Sequence, residues 1–88
     1  MRKTWTIKFI AKAEKEFAKL SHEAQKQIYK VLIKTEKNPT RYLKLLRGPF
    51  SGFYKLRAGK YRIICKKEER ELLILVVKIG KRDSVYKR

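Results

Sequence analysis

Apolar positions along the chain follow two periods, and the order in which these alternate already outlines a fold. Trp5, Ile7 and Phe9 alternate with Thr4, Thr6 and Lys8, the period-two pattern of a half-buried strand. Ile10, Ala13, Phe17 and Leu20 follow at spacings of three, four and three. That spacing stacks them on one helical face and leaves Lys12, Lys15, Glu16 and Lys19 toward water. Ser21 is a good N-cap for a second helix, and Glu23 in its first turn suits the positive end of the helix dipole. Ala24, Ile28, Val31, Leu32 and Thr35 continue the buried face as far as Asn38-Pro39, where the residue before proline is driven out of helical geometry. So short a junction between the helices predicts an antiparallel helical hairpin.

The period then returns to two. Thr40 to Leu46 reads as a short connection with room for one helical turn, and Gly48, Pro49 and Gly52 bend the chain into a sheet. Phe53–Lys66, FYKLRAGKYRIICK, reads as two antiparallel strands joined at Ala58-Gly59-Lys60. Glu68-Glu69-Arg70 makes a polar turn. The run LLILVV from Leu72 to Val77 is too short for a helix and is flanked by charges, which predicts a central strand buried on both faces. Gly80 releases the chain into a basic tail, KRDSVYKR. The sum is one α+β domain over residues 1–88: an N-terminal strand, an antiparallel helical hairpin, then a three-stranded antiparallel meander, with the helices packed on one sheet face.

Charge adds what periodicity cannot. The chain has 88 residues with 25 Lys and Arg against 8 Asp and Glu, a formal charge of +17. A soluble surface normally mixes signs, so this excess costs self-repulsion unless a polyanion relieves it. Nucleic acid is the leading partner by that footprint. An anionic membrane is the weaker reading, because no long amphipathic helix carries bulky aromatics on one face. Cys65 is the single cysteine; it can form no internal disulfide, which fits a reducing cytoplasm, and its place beside Ile63 and Ile64 suits strand packing rather than nucleophilic chemistry. The longest apolar run is far too short to span a bilayer, and no apolar segment follows the basic N-terminus as in a signal peptide. The expectation is a cytoplasmic protein with no membrane partner.

The candidate chemistry lies in the Phe53–Lys66 hairpin. Lys55 and Arg57 share one strand face, and Arg62 returns beside them just past the turn. Three positive charges gathered on so small a surface repel each other, which points to a bound anion. One His, one Cys and no Asp or Glu cluster at ligand spacing argue against metal hydrolysis, so no metal or other cofactor is expected. His22, at a helix start, reads as a surface or capping residue. No nucleophile elbow or phosphate-binding loop is present.

Lys, Arg and Tyr remain, and they suffice to cleave RNA. The ribose 2′-OH attacks the adjoining phosphate, and arginines stabilise the charge that concentrates there in the transition state. One proton must leave the 2′-OH and another must reach the departing 5′-oxygen. An ordinary lysine of pKa ~10.4 is free base only about once in 2,500 molecules at pH 7, a fraction that neighbouring cations raise. Arg82 arrives from the tail, and Tyr86 can stack on a base or help move a proton. Lys44 and Arg47 can add phosphate contacts or stand as plain loop charges. Tyr54 and Tyr61 read as packing residues. In most proteins such alternating cations are merely solvated; the overall charge shifts the balance here.

Taken together, LRGPFSGFYKLRAGKYRIIC, a buried strand and then GKRDSVY resemble the RelE/ParE superfamily of bacterial and archaeal toxins over nearly the whole chain. The RelE branch implies a RelE-like fold and an mRNA interferase, a ribosome-dependent endoribonuclease that cuts mRNA in the A site of the 30S subunit beside rRNA. It also implies the 2′-OH route with a cyclic phosphate product, and an acidic RelB-like antitoxin as partner. Carried over by position, Lys55 matches a strand lysine that moves a proton or stabilises charge, and Arg62 the arginine that stabilises the phosphate transition state. Arg82 matches a tail arginine acting at the leaving group, and Tyr86 a tail tyrosine that stacks on the cleaved nucleotide. Lys44, Arg47, Arg57 and Lys81 are the expected RNA contacts. Phe53 stands where some RelE toxins carry a second lysine, and Lys81 where many carry His. Two alternatives of other classes remain: a ParE-like toxin that binds DNA gyrase without nuclease activity, and a non-catalytic basic RNA- or ribosome-binding module.

Overall fold

The computed structural model describes residues 5–48 and 52–81. β1 (Thr6–Phe9) leads into α1 (Ala11–Ala18) and α2 (His22–Lys37). Ser21 caps α2 as its side chain predicts, Oγ accepting the Ala24 N–H at 3.2 Å. Asn38, at φ −151° and ψ 74°, ends the helix, and Pro39 opens the four-residue α3 (Pro39–Tyr42), where its fixed φ and missing N–H are no handicap. A two-residue strand β2 (Lys44–Leu45) follows, then β3 (Tyr54–Ala58), β4 (Tyr61–Glu68) and β5 (Leu73–Lys81).

The sheet order is β1-β5-β4-β3-β2. β3, β4 and β5 form the expected antiparallel meander. β1 joins its far edge parallel to β5, and β2 extends the other edge by pairing Lys44 with Lys55 and Leu45 with Tyr54. The helical turn allowed in the Thr40–Leu46 connection is present as α3, whereas the strand β2 was not expected there. Two residues carry too little periodicity to register.

α1 starts where Ile10 N–H reaches the Val76 carbonyl and runs along β5 to Ile79, whose N–H donates to Glu16 Oε1 at 2.8 Å. α2 then returns from the β3–β4 turn toward the start of β1, where Trp5 N–H bonds the Glu36 carbonyl. The helices are therefore antiparallel on one face of the sheet. Ala13, Ile28 and Leu32 meet Leu56, Ile63, Cys65, Ile74 and Val76 in a single core. Glu16, read from sequence as water-facing, is half-buried instead. Its carboxylate serves a backbone donor on β5 beyond the last residue paired with β1, Val76.

The expectation that LLILVV is buried on both faces does not hold. β5 is an interior strand, but only Ile74, Val76 and Ile79 are buried, while Leu73, Leu75 and Val77 are half-exposed. A β-bulge between β4 and β5 opposite Ile64 and Cys65 inserts one residue into β5. Val76 and Ile79 consequently both reach the core although they are three residues apart. Among the described residues, no helix is long and apolar enough to cross a membrane.

Candidate functional site

Register decides which cations share a face. Lys44, Lys55, Ile64 and Lys78 lie directly opposite one another across β2, β3, β4 and β5, and Arg57, Arg62 and Gly80 form the next row. Opposite residues in antiparallel strands project to the same side. The row of Leu56, Ile63 and Ile79 points to the helices, so the cationic rows project to the opposite face of the sheet. Lys55 and Arg57 stand about 7 Å apart along β3. Arg57 and Arg62 occupy one cross-strand pair, which brings their Cβ atoms within roughly 5 Å.

The hairpin's turn makes this register possible. Ala58 pairs with Tyr61, leaving Gly59 and Lys60 as a two-residue loop. Gly59 takes φ +62° while Lys60 keeps a negative φ, the type II′ pattern with glycine first that matches strand twist. A Cβ on Gly59 would also lie 2.6 Å from Gln27 Oε1. Among the described residues, β2 pairs only with Tyr54 and Lys55, and no strand pairs with the rest of that edge of β3.

A cleft of about 340 Å³ lies along that edge. Its cationic lining is Arg41, Lys44, Lys55, Arg57 and Arg62, and Val31, Tyr42 and Leu56 supply apolar wall. No acidic side chain lines it among the described residues. Arg62 is only 8% exposed, so the hairpin holds a guanidinium largely out of bulk water, where its field on a bound anion is screened least. Lys55 is half-buried, and Arg57, Lys44 and Arg41 are exposed.

Four of the residues singled out from sequence thus converge: Lys44, Lys55, Arg57 and Arg62. Two do not. Arg47 is exposed beyond β2 and outside the cleft, and Lys81 lies opposite Tyr61, in a row that projects to the helical side. Arg82 and Tyr86 fall outside the described residues. Nothing in the sequence sets Arg41 and Tyr42 apart, even where a helical turn is expected; only the seat of α3 beside α2 and the edge of β3 brings them to the cleft. Cys65 is fully buried, and burial pushes its thiol up to about 12, the reverse of an activated nucleophile. Tyr54 and Tyr61 pack against the core. His22, the first residue of α2, is exposed.

Residues 7–86 match the family model described as the ParE toxin of type II toxin–antitoxin systems, parDE. The chain belongs to this toxin family. Within the wider RelE/ParE group it is 36% identical over 80 residues to a putative RelE-like toxin protein of Escherichia coli, covering 90% of this chain and 84% of that one. It is 30% identical over 78 residues to the mRNA interferase toxin RelE of E. coli K12, covering 88% and 82%. The toxin fold is also that of solved structures. The E. coli RelBE toxin–antitoxin complex matches with TM-score 0.72 at 28% identity, over 88% of this chain and 95% of that one. The RelBE2 toxin–antitoxin complex of Mycobacterium tuberculosis matches with TM-score 0.82 at 20% identity, over 90% and 92%, a likeness of fold.

Proposed function

We propose that this toxin is a metal-independent mRNA interferase that cleaves mRNA in the ribosomal A site and so arrests translation in the cytoplasm. The observation that carries this reading is the cleft at the edge of the hairpin, lined among the described residues by no acidic side chain, with a buried Arg62 together with Lys55 and Arg57 in its wall. Such a cluster is tuned to charge that develops on a phosphodiester. The interferase name of a relative with 30% identity supports the same chemistry.

In this mechanism the scissile phosphate lies on the Lys55–Arg62 side of the cleft. Lys55 serves the proton on the 2′-OH or the charge that replaces it, and Arg62 stabilises the pentacoordinate phosphorus. Arg82 acts at the departing 5′-oxygen and Tyr86 stacks on the nucleotide, roles that rest on the family resemblance. Lys44 and Arg57 hold flanking phosphates. Lys66 brings its Nζ 5.4 Å from the centre of the Phe53 ring, which supports a cation at the place where Phe53 stands for a second lysine. The structural relatives are toxin–antitoxin complexes, and an acidic antitoxin of the RelB kind would mask these charges here.

The matched family model favours one other reading, a ParE-like toxin that binds DNA gyrase and cuts no RNA. Ribosomes programmed with a defined A-site codon separate the two. The interferase produces new 5′ ends within that codon and cyclic phosphates upstream; intact mRNA together with inhibited gyrase supercoiling overturns it.

A further inference from the structure

Arg41 and Tyr42 line the cleft yet have no part in the roles given above. Both come from α3, which the Pro39 start and the Leu43 N–H bond to the Pro39 carbonyl hold as a single turn. The Arg41 guanidinium carbon lies 5.8 Å from the centre of the Tyr42 ring, within cation–π range. Tyr42 is half-buried against the core, whereas Arg41 is exposed, so the guanidinium is the more solvent-accessible member of the pair. Val31 and Leu56 give the adjacent aliphatic wall.

The cleft therefore has two unlike halves. Lys55, Arg57 and Arg62 suit a phosphodiester. The tyrosine, the guanidinium plane and two aliphatic side chains add nothing for a bare phosphate, but they match a flat and weakly polar nucleobase. Proteins that read single-stranded RNA hold unstacked bases on aromatic rings and arginine planes. About 340 Å³ is at the small end of ligand pockets, room for one nucleotide unit and too little for a duplex.

We propose that Arg41 and Tyr42 form a base-stacking platform for the nucleotide next to the scissile phosphate, and that this platform sets which sequences are preferred. Its effect on cleavage rests on the interferase reading above; its binding of a base does not.

The test uses the full chain and a trinucleotide with 2′-O-methyl riboses, beside the same trinucleotide with its central base removed. Wild-type protein should bind the intact trinucleotide roughly tenfold more tightly than the abasic one. Tyr42→Ala should erase that preference and Tyr42→Phe should keep it. Arg41→Ala, at an exposed position where folding is not at stake, should reduce it. On programmed ribosomes Tyr42→Ala should reorder cleavage among A-site codons, whereas Arg62→Ala lowers all codons together. Equal affinity of wild-type protein for the two trinucleotides overturns the platform, and so does uniform scaling of all codons by Tyr42→Ala. A Tyr42→Ala protein that loses an acidic antitoxin peptide but keeps its base preference also overturns it, assigning this wall to the antitoxin. Base-dependent binding by a chain that leaves mRNA intact on the ribosome sustains the platform and refutes only the nuclease.

Discussion

Arg57 and Arg62 face each other directly across the β3–β4 hairpin, one exposed and the other 8% exposed. Like charges in a cross-strand pair destabilise a sheet, and many uncharged β-formers would fit there. An anion bound between the two arginines would relieve that repulsion.

That repulsion is measurable. Arg57→Thr retains β-propensity and removes one of the two charges. It should raise the unfolding free energy by about 0.5 kcal/mol at low salt, and the gain should vanish near 1 M salt, where the screening length is roughly 3 Å. Affinity for single-stranded RNA should fall, with the log–log salt slope shallower by about 0.7 for each lost phosphate contact. Urea titrations at two salt concentrations check the first point. An Arg57→Thr protein no more stable than wild type in low salt would show that the pair is not repulsive as it sits.

Arg62 should matter to rate more than to binding. Arg62→Ala should slow cleavage on programmed ribosomes by roughly two to three orders of magnitude, the scale of losing one preorganised donor to the transition state. Arg82→Ala should do the same while ribosome association survives. Arg62→Lys should also be impaired, since an ammonium cannot offer the planar fork of a guanidinium. Wild-type cleavage by both alanine variants would mean the scissile phosphate lies elsewhere.

The sequence is most legible where one local cause is enough. Ser21 capping α2, Asn38-Pro39 ending it and the antiparallel meander each follow from a few neighbouring residues. It is least legible where distant segments meet. Alternation along β3 places Lys55 beside Arg57, but only the register with β2 adds Lys44, and only the seat of α3 adds Arg41 and Tyr42. The same limit explains Glu16: helical periodicity sends it toward water, whereas the backbone N–H of Ile79 draws it in. LLILVV misleads for another reason, since a continuous apolar run cannot say how fully each face of its sheet is covered.

Gly59 is constrained by φ +62°, while Gln27 Oε1, 2.6 Å from where a Cβ would sit, is the tip of an exposed, flexible side chain that can swing aside. Gly59→Ala should cost about 1–2 kcal/mol from the left-handed backbone alone. In a Gln27→Ala background the same change should cost nearly as much, because the exposed Gln27 side chain moves aside while the backbone strain persists. A double-mutant cycle by urea denaturation separates the two contributions. Loss of cleavage should track loss of stability in these variants, since the turn fixes the Arg57–Arg62 pair.

Cys65 gives a test of the core that does not involve the site. Its folded-state thiol is pushed up to about 12 by burial, against 9.0 for an exposed one. Between those values the unfolded chain releases a proton that the folded chain retains, so the native state binds more protons and stability falls as pH rises. The contribution is intact below pH 9 and declines by about 1.4 kcal/mol for each pH unit above it. Cys65→Ala should be less stable than wild type at pH 8, because it empties volume in a fully buried position. It lacks this alkaline loss, so the two unfolding free energies should converge as pH is raised from 8 to 10.5. Urea titrations across that range report the difference directly, with the other tyrosines and lysines common to both proteins. Curves that stay parallel would mean that the thiol ionises without unfolding, and that the centre of the sheet is wetter than its packing indicates.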